Sequence, residues 1–387
     1  MASIADTQNG TDRQIGADPG SAFTRPAFTR IAHPAPVAAA VRDAALADPG
    51  FGKLFSDHMI SIDWSEGADG VGGWHNATIG PRRAIALDPA AAVLHYAQEI
   101  FEGLKAYRLA DGSNALFRPD ANARRFNASA RRLAMPELPE ATFVAAIREL
   151  VAADHDWFPS VAGGSLYLRP FMIATEAFLG VRPAKEYKFL VIASPAGNYF
   201  KSGAPAVSIW VSDYTRAAPG GTGEAKCGGN YAASLVPTAE AFARGHDQVL
   251  FLDAAEHKWI EELGGMNLFF VFDDGSMITP PLGGTILPGI TRDSLLVLAT
   301  EEGLSVREEP YSIDQWRADA ASGRLVEAFA CGTAAVVTAV GKVAGRDGEF
   351  LIGSGGPGQM TQRLRARLVA IQRGEAPDPH GWMMRLD

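Results

Sequence analysis

Just past the middle of the chain a lysine stands between two glycine clusters, in the run Gly220-Gly221-Thr222-Gly223-Glu224-Ala225-Lys226-Cys227-Gly228-Gly229-Asn230-Tyr231. Glycine on both sides lets the backbone turn tightly and come close to a bulky ligand that β-carbons would obstruct. That placing singles out Lys226 as a residue that carries a cofactor. The segment is not a phosphate loop, which needs Gly directly before its Lys and Ser or Thr directly after; here Ala225 precedes and Cys227 follows. Nor is it a dinucleotide fingerprint, whose third glycine would fall where Lys226 stands. Taken alone, the run also fits a surface turn with an incidental lysine, so other residues have to decide.

A chain of 387 residues exceeds one ordinary core and predicts two domains. With 47% hydrophobic residues there is material for a sizeable interior. The net charge of −9 has no basic concentration that would suit nucleic acid or an anionic membrane surface. The N-terminus lacks a basic head followed by an apolar run, and no apolar stretch approaches the roughly 20 residues that span a bilayer. Two cysteines are too few for a disulfide framework, and eight scattered histidines have no ligand spacing. The expectation is a cytoplasmic protein without a metal site.

Residues 1–30 are polar and aperiodic and are expected to be disordered. Residues 31–197 read as a smaller α/β domain. Strands are predicted near 59–64, 83–87, 165–174 and 186–195, and helices over 37–47, 119–135 and 139–154. Pro119 is a helix start signal. The run 186–195 is apolar enough for a central strand. Small and polar residues over 198–203 read as a linker, and 204–387 as a larger, cofactor-binding domain. In it, Glu261 and Glu262 are adjacent on a strand, which sends them to opposite faces, so one points inward. A Pro- and Gly-rich turn at 280–289 delivers a helix from about Thr291, whose free N–H groups make an anion site. Residues 332–335 are small enough for backbone amides to face a ligand.

These parts match what an enzyme using pyridoxal 5′-phosphate must supply: a lysine for the Schiff base, a carboxylate to keep the pyridine nitrogen protonated, donors for a phosphate dianion and a seat for a substrate carboxylate. Several runs also closely resemble the branched-chain amino acid aminotransferases, within the class IV aminotransferases of D-amino-acid aminotransferase-like fold. They include residues 224–231, Glu262-Leu263-Gly264-Gly265-Met266-Asn267, Leu287-Pro288-Gly289-Ile290-Thr291-Arg292, Gly332-Thr333-Ala334, Phe101-Glu102-Gly103-Leu104-Lys105 and Tyr167-Leu168-Arg169-Pro170. The resemblance runs in unbroken order from about Phe51 to the C-terminus. It implies a two-domain α/β (α+β) enzyme of fold type IV, acting as a homodimer on amino acids and 2-oxo acids.

Carried over residue by residue, the resemblance implies that Lys226 is the Schiff-base lysine and the catalytic base. Tyr231 would bond the ring O3′ and Glu262 the pyridine nitrogen. Arg125, the backbone of Ile290 and Thr291, and Thr333 would hold the phosphate. The N–H groups of Thr333 and Ala334 would receive the substrate carboxylate, with Tyr96 from a second subunit. Phe51, Phe101 and Tyr167 would line the side-chain pocket, and Leu179 and Val181 would close it across a dimer interface. Such a pocket suits leucine, isoleucine and valine, each stabilised by about 1.5–3 kcal/mol on burial. Arg169 and the Tyr167 hydroxyl are candidates for the side-chain carboxylate of glutamate, Arg169 fitting a structural salt bridge equally well.

This chain departs from its relatives in places. Gly265 stands where many have Thr, and Ala335 and Thr338 replace a Cys-x-x-Cys pair of mammalian members, so no redox switch is expected there. Another enzyme of the same fold, such as a D-amino acid aminotransferase or aminodeoxychorismate lyase, is the nearest alternative. A vestigial binding protein and a cofactor-free Schiff-base aldolase are more distant ones.

Overall fold

A computed structural model describes residues 26–161, 163–197 and 206–386. Two nine-stranded sheets organise it. In the first, neighbouring strands run Thr29–Arg30, Gly72–Pro81, His58–Glu66, Glu186–Ala196, Ser165–Ala174, Leu104–Arg108, Asn114–Phe117 and Met383–Leu386, with Glu99–Phe101 also paired to Ser165–Ala174. The second runs Ile260–Leu263, Gln248–Leu252, Ala206–Val211, Val336–Gly345, Leu325–Gly332, Asn267–Phe272, Ser276–Thr279 and Ser305–Glu308, with Gly348–Leu351 on Val336–Gly345.

The apolar run in Glu186–Ala196 is flanked by strands on both sides, as its composition predicts. Helices Pro119–Arg132 and Glu140–Ala153 cover that sheet. Pro119 opens the first at a position whose N–H needs no partner, and Ala123, Phe126, Asn127 and Ala130 recur at helical spacing to form its buried face. Phe126, Phe143 and Phe189 meet there with ring centroids 5.4–6.0 Å apart. A further apolar cluster joins the sheets: Tyr107, Leu109 and Phe117 of the first pack with Phe269 and Phe329 of the second and with Leu364 and Leu368 of helix Gln359–Gln372.

Three expectations are corrected. Thr29 and Arg30 pair with Thr78 and Ile79, so ordered structure begins before residue 31; residues 1–25 and the expected linker at 198–203 lie outside the described residues. The residues 83–87 form no strand, and the partner of His58–Glu66 is Gly72–Pro81, with the Gly-rich run 67–71 as the hairpin tip. The last strand, Met383–Leu386, returns to the first sheet beside Asn114–Phe117 rather than staying with the C-terminal half. No helix among the described residues is long and apolar enough to cross a membrane.

Candidate active site

Lys226 sits where the two sheets meet. Its backbone is fixed from the first half of the chain: its N–H donates to Ser129 Oγ at 2.9 Å, and its carbonyl accepts from the Phe101 N–H at 2.9 Å. The short helix Gly228–Ala232 then brings Tyr231 back over the lysine, and Lys226 Nζ donates to Tyr231 Oη at 2.9 Å. Nζ also lies 5.0 Å from the Phe101 ring centroid. The glycines allow this packing in a way their spacing does not predict. A Cβ on Gly228 would collide with Glu99 Oε1, so the close approach is to a protein carboxylate that accepts the Gly228 N–H.

Glu262 is 2% exposed and ion-paired with Arg216. Burial pushes its carboxyl up to about 7, against the opposing pull of Arg216, Lys226 and the Leu287 N–H. Strand alternation sends Glu261 the other way, but both faces are covered: Glu261 is also buried, its Oε2 has no partner among the described residues, and burial raises its pKa too.

Arg125 projects from helix Pro119–Arg132 onto Glu102 in a bidentate pair, Nε to Oε1 at 2.7 Å and Nη2 to Oε2 at 2.8 Å. Its Nη1 donates to the Pro288 carbonyl at 3.1 Å. Three of the five guanidinium N–H groups are thereby engaged and two are left. Glu102 is fully buried and also accepts from Asn122 Nδ2 at 2.7 Å and from the Gly103 N–H at 3.1 Å. Burial alone would raise its pKa, but the charge and hydrogen bonds of Arg125 outweigh burial and lower it. Beside Pro288, helix Ile290–Glu301 begins after Gly289 with no side-chain cap, so its first N–H groups stay available. Ile290, Thr291 and Thr333 share a pocket of about 10 Å³ with Lys105 and Asn122.

Gly332 and Thr333 also border a larger cavity of about 370 Å³, whose walls include Phe51, Phe101, Tyr167, Arg169, Lys226 and Tyr231. Ala334 and Ala335 form its other side, brought near the turn at 264–266 because Asn267 pairs with Cys331 across adjacent strands. Phe51 and Tyr167 meet edge-on with centroids 5.1 Å apart. Arg169 lies over the Phe101 ring at 4.8 Å and donates from Nη2 to Tyr167 Oη at 3.2 Å. It forms no ion pair among the described residues, and its Nε is buried without a partner there. At Gly265 a side chain would press on the Tyr231 ring, its Cβ 3.3 Å from Cε1.

Tyr96, Leu179 and Val181 do not join this cavity. Tyr96 Oη donates to the Leu179 carbonyl, and the three side chains are exposed, Val181 to 89%. Sequence reasoning gave no role to Glu102, Arg216 or Lys105. Glu102 and Lys105 lie within a quoted motif, a signal that could have found them; Arg216 lies outside every motif, and nothing local marks it. Cys227 and Cys331 are free and buried. Among the described residues no cluster of His, Cys, Asp or Glu could hold a metal ion.

The family described as amino-transferase class IV matches residues 99–343. The branched-chain-amino-acid aminotransferase of Mycolicibacterium smegmatis is 57% identical over 365 residues, covering 93% of this chain and 98% of its own. The branched-chain-amino-acid transaminase 1 of Bacillus subtilis is 45% identical over 339 residues, 87% of this chain and 94% of its own. Among solved structures, the branched-chain amino acid aminotransferase of Escherichia coli is similar with a TM-score of 0.70 at 28% identity, covering 86% of this chain and 99% of that one. A bacterial enzyme of the same name, solved with pyridoxamine 5′-phosphate, has a TM-score of 0.68 at 30% identity.

Proposed function

The chain belongs to the class IV aminotransferase family, and from its site we infer a branched-chain amino acid transaminase, which moves the amino group reversibly between L-leucine, L-isoleucine or L-valine and 2-oxoglutarate, giving L-glutamate, in two ping-pong halves. The observation that carries this reading is the position of Lys226 Nζ, bonded to Tyr231 Oη within a cavity walled by Phe51, Phe101 and Tyr167. An amine and aromatic walls suit an amino acid whose side chain is apolar and whose nitrogen is the reacting atom.

The cofactor is pyridoxal 5′-phosphate, and the residues present fit it. Glu262 is a carboxyl sealed from water and raised by burial, as a partner for a protonated ring nitrogen must be. The uncapped helix start at Ile290 and Thr291, with Thr333 and the two spare N–H groups of Arg125, would hold the phosphate. When bound, the cofactor supplies an electron-accepting ring that stabilises the carbon left by Cα–H cleavage.

The chain's own residues do the rest. Lys226 Nζ bonds the cofactor and is the base that takes the proton from substrate Cα. Tyr231 Oη holds Nζ in place and would bond the ring oxygen O3′. The backbone N–H groups of Thr333 and Ala334 receive the substrate carboxylate at the cavity's edge. Phe51, Phe101 and Tyr167 exclude water around the branched side chain. For glutamate, the γ-carboxylate is directed to Arg169 and the Tyr167 hydroxyl, since a buried carboxylate needs a partner and Arg169 Nε lacks one among the described residues.

The unit in this reading is a cytoplasmic homodimer of two-domain chains split between the two sheets. Tyr96, Leu179 and Val181, exposed in one chain, complete the site of the other. A steady-state panel of amino donors with 2-oxoglutarate tests the assignment: the three branched-chain L-amino acids should lead, and preference for D-alanine would favour a different enzyme of the same fold.

A further inference from the structure

Lys105 is a buried cation that the roles above leave unused. It lies on strand Leu104–Arg108, is 7% exposed and donates from Nζ to the Ala334 carbonyl at 2.9 Å. It forms no ion pair among the described residues. Its charged neighbours are cations, Arg373 and Arg365 from the C-terminal helix region. Burial, with those two charges, brings its ammonium down to about 8. A buried ammonium among like charges, bonded to a backbone carbonyl, is a poor way to fill space; an apolar side chain of similar length would fill it at less cost.

The Ala334 carbonyl is where this cation acts. Lys105 borders the small pocket on one side of Thr333, whereas Ala334 and Ala335 border the large cavity on the other. A trans peptide sends its C=O and N–H in opposite directions, so fixing the Ala334 carbonyl on Lys105 sends the Ala335 N–H away from it. The turn that follows needs such an anchor, because Val336 has φ 63°, a conformation that β-branched residues avoid.

We propose that Lys105 is a positioning residue for carboxylate recognition: its ammonium grips the Ala334 carbonyl and so holds the 332–335 turn with its N–H groups available to the substrate. The proposal rests on the reading of Thr333 and Ala334 as carboxylate receptors.

The test compares L-leucine with L-leucinamide, which lacks the carboxylate, in the cofactor-loaded wild type and Lys105→Met. In wild type, L-leucine should have far the higher kcat/KM. In Lys105→Met, kcat/KM for L-leucine should fall about 10- to 100-fold, chiefly through KM, as expected for loss of a charged hydrogen bond, while L-leucinamide changes little and the cofactor's visible absorbance is kept. An equal fall for both substrates, or no fall for L-leucine, overturns the proposal. A wild type indifferent to the carboxylate overturns instead the reading of Thr333 and Ala334. If Lys105→Met does not fold, Lys105→Gln, which keeps a donor without the charge, is judged by the same outcomes.

Discussion

Lys226 Nζ and Tyr231 Oη lie 2.9 Å apart, at the two ends of a short run that the helix Gly228–Ala232 folds back on itself. The hydroxyl therefore fixes where the amine points, and removing it frees the amine without changing the cavity's volume by much. Tyr231→Phe should keep the fold and lower kcat/KM for L-leucine roughly 10- to 100-fold, the effect of losing a charge-assisted hydrogen bond. Initial rates checked against far-UV circular dichroism separate this from misfolding, and a wild-type rate would remove Tyr231 from the mechanism.

The Glu102–Arg125 pair should be the most costly one near the site to break. Both oxygens of a fully buried carboxylate are engaged, and Arg125 has no second carboxylate partner among the described residues. Glu102→Ala should destabilise the protein by about 3–5 kcal/mol, because a buried guanidinium is left uncompensated, and should weaken cofactor binding as Arg125 loses its orientation. Urea unfolding and a pyridoxal phosphate titration read the two effects.

Much of this site was legible in the chain. Lys226, Tyr231, Glu262 and the 332–334 turn lie in compact runs whose composition announces a ligand, and the structure gathers Lys226, Tyr231 and Thr333 around one cavity with Glu262 close enough to sense the lysine's charge. Arg216 was not legible, since its partner Glu262 is far along the chain and nothing local marks it. The C-terminal strand was hidden for a related reason: Met383–Leu386 is four residues, too short for a period, and its partner Asn114–Phe117 lies in the other half of the chain. The residues 83–87 alternate like a strand, but Gly72–Pro81 already holds that edge of His58–Glu66.

Glu262 gives a pH signature. Its folded pKa is raised from 4.5 to about 7 by burial, so between those values the native state binds more protons than the unfolded state, and stability from this group falls as pH rises. In the protein without cofactor, wild type should lose roughly 3 kcal/mol relative to Glu262→Gln between pH 4.5 and 7. Parallel stability curves for the two proteins would contradict the buried, raised carboxyl. With cofactor, the same variant should keep it bound but slow Cα–H cleavage severely in single turnover.

Gly103 is held small by Tyr167: a Cβ there would collide with the Tyr167 hydroxyl. Gly103→Ala must push that ring into the cavity it borders. KM for L-leucine should rise about tenfold, the scale at which one methyl group alters an apolar pocket, and a smaller donor such as L-valine should suffer less. Equal KM values for mutant and wild type would place Tyr167 outside the side-chain pocket.

Reduction of the cofactor-loaded protein with borohydride, followed by digestion and mass spectrometry, asks most directly which residue carries the cofactor. A phosphopyridoxyl group on the peptide containing Lys226, absent from Lys226→Ala together with all but about 10⁻⁴ of the turnover, is the predicted result. The same group on a different lysine, or wild-type turnover in Lys226→Ala, would contradict it.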